Sequence, residues 1–205
     1  MSVPNRNSTA SQNKAKRYPS RRGRARRSRS GLYLGIALAA IAALALVIFL
    51  VNDNSAGAGG PIAGVQTFAN LDRSHTSDPV TYAQTPPVGG PHRPAWQNCG
   101  VYTSPVPNEH AVHSLEHGVI WITYQPDLDG DALAKLQTLT RQSSYRLLSP
   151  YPGLDSPIVA SAWGYQLKLD SADDPRLAAF IEKYEQNPFG PEPGASCSGG
   201  VGTPG

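Results

Sequence analysis

The sequence predicts an α+β fold: a single transmembrane helix, then one small extracytoplasmic domain with a mostly antiparallel sheet and two to three helices. Three observations carry that expectation. Residues 31–51 contain no charged residue and no Asn, Gln, Ser or Thr. Charge is split across that run: residues 1–30 hold ten of the eighteen Lys/Arg and no acid, and residues 52–205 hold the other eight against all fifteen Asp/Glu. Between residues 109 and 185, stretches of helical spacing alternate with β-branched and aromatic runs. The net charge of +3 therefore conceals +10 before the apolar run and −7 after it. A length of 205 residues allows one domain with appendages rather than a multidomain enzyme, and two cysteines exclude a disulfide-dense scaffold.

As a helix, residues 31–51 would reach roughly 30 Å, the thickness of a bilayer's hydrocarbon core. They are apolar on every face, which suits lipid rather than a surface helix. A cleaved signal peptide, with Ala56-Gly57-Ala58 as its small-x-small site, is the competing reading; the apolar run and the basic region before it are both too long for one. The Lys/Arg bias places residues 1–30 in the cytoplasm as a basic tail and the rest outside the cell membrane. Anionic lipid headgroups are the expected partner of that tail. Nucleic acid is not expected, because no aromatic residue interleaves the arginines of residues 21–29 for base stacking. Whether the outward domain has a protein partner is left open.

Residues 52–64 (NDNSAGAGGPIAG) form a flexible linker, residues 65–185 the extracytoplasmic domain, and residues 186–205, with six Gly and four Pro, a poorly ordered tail. Within the domain, residues 66–108 carry repeated proline and turn pairs and are expected as irregular, wrapping chain. Asn108 caps a helix that Gly118 ends. Val119-Ile120-Trp121-Ile122-Thr123-Tyr124 is a buried strand, and Leu128, Ala132, Leu133, Leu136 and Leu139 mark a helix over residues 127–142. Strands are expected at residues 145–148 and 158–169, and a last amphipathic helix at residues 175–185. Cys99 and Cys197 both lie where disulfides persist; paired, they would close a loop of nearly a hundred residues, contributing about 4–5 kcal/mol. Free thiols or copper ligation are the competing readings.

Chemistry concentrates in the histidines. All five lie between residues 75 and 117, and three share one decapeptide ending Val112-His113-Ser114-Leu115-Glu116-His117. On a helix His110, His113 and His117 fall on one stripe with Glu116 beside it, and His92 sits on a Gly/Pro loop that supplies another ligand. Imidazoles suit zinc or copper(II), and the single methionine, at position 1, excludes a Met-rich copper(I) site. His113-Ser114-Leu115-Glu116-His117 also fits the H-x-x-E-H pattern of a metallopeptidase, which makes Glu116 a candidate catalytic base. That motif belongs on a long helix, however, and here Gly118 and a strand follow at once. Ser114 lacks a nucleophile elbow, and Asp127-Leu128-Asp129-Gly130-Asp131 lacks the closing Glu of a calcium loop, leaving it as a turn and helix cap.

Pro86-Pro87-Val88-Gly89-Gly90-Pro91-His92, Gly100-Val101-Tyr102 and Val112-His113-Ser114-Leu115-Glu116-His117-Gly118 before a hydrophobic strand resemble the bacterial family called domain of unknown function 3105. The resemblance covers roughly residues 65–184 and implies the same architecture, a membrane anchor and one outward domain. Its pattern falls on His92, His113, Glu116, His117 and Gly118, and leaves His110 and the cysteines outside it. The expected reading is thus a membrane protein whose outward domain binds copper or zinc through His92, His113, His117 and Glu116, with His110 a lesser candidate. A metal-dependent hydrolase using Glu116 as base and a non-catalytic envelope interaction module are the alternatives.

Overall fold

Trp121 and its neighbours show how the domain is layered. In a computed structural model, strand β3 (Ile120–Tyr124) is buried along its whole length, with Ile120, Ile122 and Tyr124 packed into one cluster and Trp121 into another. A strand that hides both faces lies at the centre of a sheet with cover on each side, and the apolar run in the sequence reflects that position. The structure describes residues 60–188 and 190–205, with Tyr33, Leu38, Ala40, Ile41 and Ala43 before them, these five helical and exposed. The expected basic tail, most of the expected transmembrane helix and the first part of the linker lie outside the described residues. Among the described residues no helix is long and apolar enough to cross a membrane. Residues 60–205 fall in one unit, Val51–Gly205.

The elements follow as β1 (Gln66–Thr67), β2 (Gly100–Val101), α1 (Asn108–Glu116), β3, α2 (Gly130–Thr140), β4 (Arg146–Pro150), β5 (Ile158–Ala162), β6 (Tyr165–Leu169) and α3 (Pro175–Tyr184). The sheet order is β1-β6-β5-β3-β4-β2. The α+β class holds, but the sheet is mixed rather than mostly antiparallel: β1·β6, β6·β5 and β5·β3 are antiparallel, whereas β3·β4 and β4·β2 are parallel. The physical reason is the crossover through α2, which returns the chain to start β4 beside β3 in the same direction. The single strand expected over residues 158–169 is a hairpin, turned at Trp163-Gly164 with Gly164 at φ +77°.

Helices α2 and α3 cover one face, where Leu136, Leu177, Phe180, Ile181 and Tyr184 meet the sheet. Their starts are fixed by side-chain caps: Asp129 Oδ1 accepts from Asp131 N and Ala132 N, and Asp174 Oδ1 from Arg176 N. Helix α1 covers the opposite face through Ala111 and Leu115, beside Trp121, Leu147 and Cys197. Its cap differs from expectation. Pro107 precedes the first turn without a side-chain cap, and Asn108 lies inside the helix, its Nδ2 donating to the Tyr151 hydroxyl at 3.2 Å.

The C-terminal tail is not loose. Val201 N donates to Trp96 O, Asn98 N to Val201 O, Cys99 N to Cys197 O and Gly205 N to Val101 O. Glu192 N and Gly194 N donate to the carbonyls of Glu116 and His117, so the tail also satisfies the C-terminal end of α1. The sulfurs of Cys99 and Cys197 lie 1.99 Å apart, a disulfide that ties the tail to the segment before β2.

Candidate metal centre

Helix α1 ends at Gly118, whose φ of +91° and close approach to Gln186 leave no room for a side chain: a Cβ there would lie 2.9 Å from Gln186 Cα. This stop places His113 and Glu116 on the last turn, facing the irregular segment. That segment enters past Gly89 at φ +146°, where a Cβ would meet Leu71 and the Trp163 ring, and brings His92 against α1. The backbones of residues 74–76 and His92 pair as well: His92 N donates to Ser74 O at 3.0 Å and Thr76 N to His92 O at 2.7 Å. His75 is thereby set opposite His92.

Four side chains converge as a result. One ligand atom each from His75, His92, His113 and Glu116 lies within 4.8 Å of the other three. His92 Nε2 is 2.9 Å from Glu116 Oε2, and His75 Nε2 is 3.8 Å from the same oxygen. Tetrahedral donors around zinc at ordinary bond lengths sit about 3.4 Å apart, so small side-chain shifts suffice to close the group on an ion. His75 stacks on His113, ring centroids 4.9 Å apart, and His92 meets both edge-on. The Trp163 and Trp96 rings wall the cluster beside His92 and His113. His92, His113 and Glu116 are buried; His75 is exposed.

The hydrogen bonds determine which nitrogens are free. A carbonyl oxygen only accepts, so the ring nitrogen beside it carries the proton. His92 Nδ1 donates to Gly90 O at 2.8 Å and His113 Nδ1 to Arg93 O at 2.6 Å. In each neutral ring the lone pair then belongs to Nε2, the arrangement that orients metal-binding imidazoles. Burial, opposed by the Arg93 carbonyl and aided by His117, His92 and His75, pulls the His113 pKa down from 6.5 to about 4. It stays neutral and available as a donor at physiological pH. Between His92 Nε2 and Glu116 Oε2, two acceptors at 2.9 Å would repel, so a proton lies between them. A metal ion would take that proton's place. Three imidazoles and one carboxylate fit zinc or copper(II) in donor type and number.

The His113 shift has a consequence for the metal-free protein. Below pH 6.5 the unfolded chain protonates this imidazole while the folded one does not. Stability is therefore full above about 6.5 and falls as the pH drops towards 4, by at most about 1.4 kcal/mol per pH unit. Urea midpoints of metal-free protein at pH 7 and pH 5 should show the loss, and His113→Gln should reduce it.

Two expected ligands lie apart from this group. His117 is drawn the other way: its Nδ1 donates to Ser196 O at 2.7 Å in the tail, and its Nε2 faces Glu192 Oε2 at 3.7 Å. Its ring stands edge-on to His113 at 4.6 Å and under Trp96 at 5.0 Å. The reason is that α1 stops there, leaving His117 as the C-terminal cap held by the tail. His110 sits a turn earlier, its Nδ1 bonded to Ala95 O. His75 takes the expected place of His117. Sequence spacing gave no sign of it, since it sits on extended chain far from α1; only the clustering of all five histidines pointed there. Ser114 is a structural hydroxyl, donating to Gln97 O at 2.7 Å.

No curated protein and no solved structure matches this chain. The family model described as "Protein of unknown function (DUF3105)" does match, over residues 74–199, which runs from the segment holding His75 to the disulfide and beyond. The match covers well over half of the sequence, and the chain belongs to that family.

Proposed function

We propose that this chain is a single-pass membrane protein whose outward domain binds one divalent metal ion, copper or zinc, for storage, delivery or sensing. The observation that carries the proposal is the convergence of His75, His92, His113 and Glu116, with the Nδ1 atoms of His92 and His113 fixed on carbonyls so that Nε2 is the nitrogen each ring turns to the group. The charge split across residues 31–51 supports the membrane placement, with the basic tail on anionic headgroups at the cytoplasmic side. In the hydrolase reading Glu116 is a base acting on bound water. Its carboxylate instead lies among the donor atoms, in contact with His92 Nε2, which favours the role of ligand.

The test is metal content of full-length protein, purified in detergent, exposed to zinc or copper(II) and freed of excess. About one ion per chain is expected, falling to near zero in His92→Ala and His113→Ala. No retained metal in the unaltered protein would remove the reading. Retention of the ion by Glu116→Gln, together with loss of a hydrolytic activity, would favour the hydrolase instead.

A further inference from the structure

The four donors are unequal, and the inequality has a direction. His92 is held at both ring nitrogens, by Gly90 O and Glu116, and its side chain is fully buried. His113 is held at Nδ1 and is 4% exposed. Glu116 is 3% exposed. The His75 side chain is 47% exposed, and among the described residues no hydrogen bond within 3.5 Å holds either of its ring nitrogens. Its backbone lies in a stretch in which Asp72, Arg73, Ser74, Ser77 and Asp78 are also exposed, paired to His92 through residues on either side of it. A rotation of His75 about its own side chain costs its ring contacts with His113 and His92 and its 3.8 Å approach to Glu116 Oε2, and leaves every hydrogen bond of the other three donors intact.

From this we infer that His75 is the exchange ligand of the site: the metal ion enters and leaves by substitution at the His75 position, passing to an acceptor that offers an imidazole or thiolate donor from solvent. The inference rests on the metal-binding reading above. The step is a ligand substitution. The bond from His75 to the ion breaks, a bond from the acceptor's donor atom forms, and no electron changes hands. His92, His113 and Glu116 hold the ion while the first acceptor bond forms, His92 and His113 being fixed on Gly90 O and Arg93 O, which His75 does not supply. Their own bonds to the ion then break in turn as further donors of the acceptor replace them. The site is then built for handing an ion over rather than for keeping it, since a purely structural ion is usually enclosed by fixed ligands on all sides.

Release of zinc from loaded full-length protein to an aminocarboxylate chelator, followed by stopped flow, tests this. The expected result is a release rate that rises with chelator concentration, because the incoming donor takes part in the step. His75→Ala should bind zinc more weakly, fill to about one ion only at saturating zinc and release it at least tenfold faster, whereas His113→Ala should not fill. Release independent of chelator concentration and unchanged in His75→Ala would overturn the exchange role. So would a His75→Ala protein that is folded but loads no zinc, since His75 would then be a ligand like the others. Unaltered protein that loads no metal at all would fail at the earlier step, and the metal-binding reading would fall with it.

Discussion

Replacing His92 by Ala is expected to lower metal affinity by more than about a hundredfold, since even the groups that only orient a ligand are worth about 10–100-fold. His92 is the member of the cluster with the least freedom: fully buried, one nitrogen on Gly90 O and the other on Glu116. Its loss does a second thing. Glu116 is buried, and after the imidazole at 2.9 Å its next histidine, His75, is 3.8 Å away. Leaving that carboxylate without its partner costs the metal-free protein about 3 kcal/mol. Loss of metal in His92→Ala alone would therefore be open to the objection that the variant unfolds. Glu116→Gln answers it. The amide keeps the shape of the carboxyl and donates to the lone pair of His92 Nε2, so the fold persists while a charged ligand is gone. Both variants should lose the ion in titration calorimetry, and only His92→Ala should shift the urea midpoint strongly. Native affinity in both would contradict the site.

The second large effect lies in the disulfide. Cys99→Ser with Cys197→Ser removes a link between residues 98 apart in sequence, which by loop entropy contributes about 4–5 kcal/mol. Very little apolar packing replaces it, because the tail is rich in Gly and Pro and is fastened chiefly by backbone hydrogen bonds to Trp96, Asn98, Cys99 and Val101. Freed of its anchor, the tail should release His117 Nδ1 from Ser196 O, whereas His92 and His113 keep their carbonyls on Gly90 and Arg93. The expected outcome is a much lower thermal midpoint with metal stoichiometry still near one at low temperature. Loss of metal in the folded double variant would mean that the tail side of α1, and His117 with it, belongs to the centre.

How much of this was legible in the sequence follows from the range of each interaction. The helices and β3 are local: Asp129 and Asp174 cap what they precede, and an unbroken apolar run announces a strand covered on both faces. The hairpin at Trp163-Gly164 escaped because one glycine is a weak break between apolar segments that share a period. Parallel pairing of β3, β4 and β2 leaves no mark on any one strand. The site divides along the same line. His113 and Glu116 share a helical turn and are visible as a pair; His92 stands out by its loop. His75 joins through backbone pairing of residues 74–76 with His92, a contact that no spacing encodes, and His117 leaves because a tail from the far end of the chain supplies the carbonyl for its ring. Gly/Pro composition made that tail look loose, although its order comes from the disulfide and from hydrogen bonds to residues 96–101.

The most direct test of the account is the position of the ion itself. Anomalous diffraction at the zinc edge, from crystals of the zinc-loaded full-length protein, should place one peak about 2.0–2.2 Å from Nε2 of His75, His92 and His113 and from a Glu116 oxygen. A peak on His117 and Glu192, or on His110, with the four converging side chains left unligated, would contradict it.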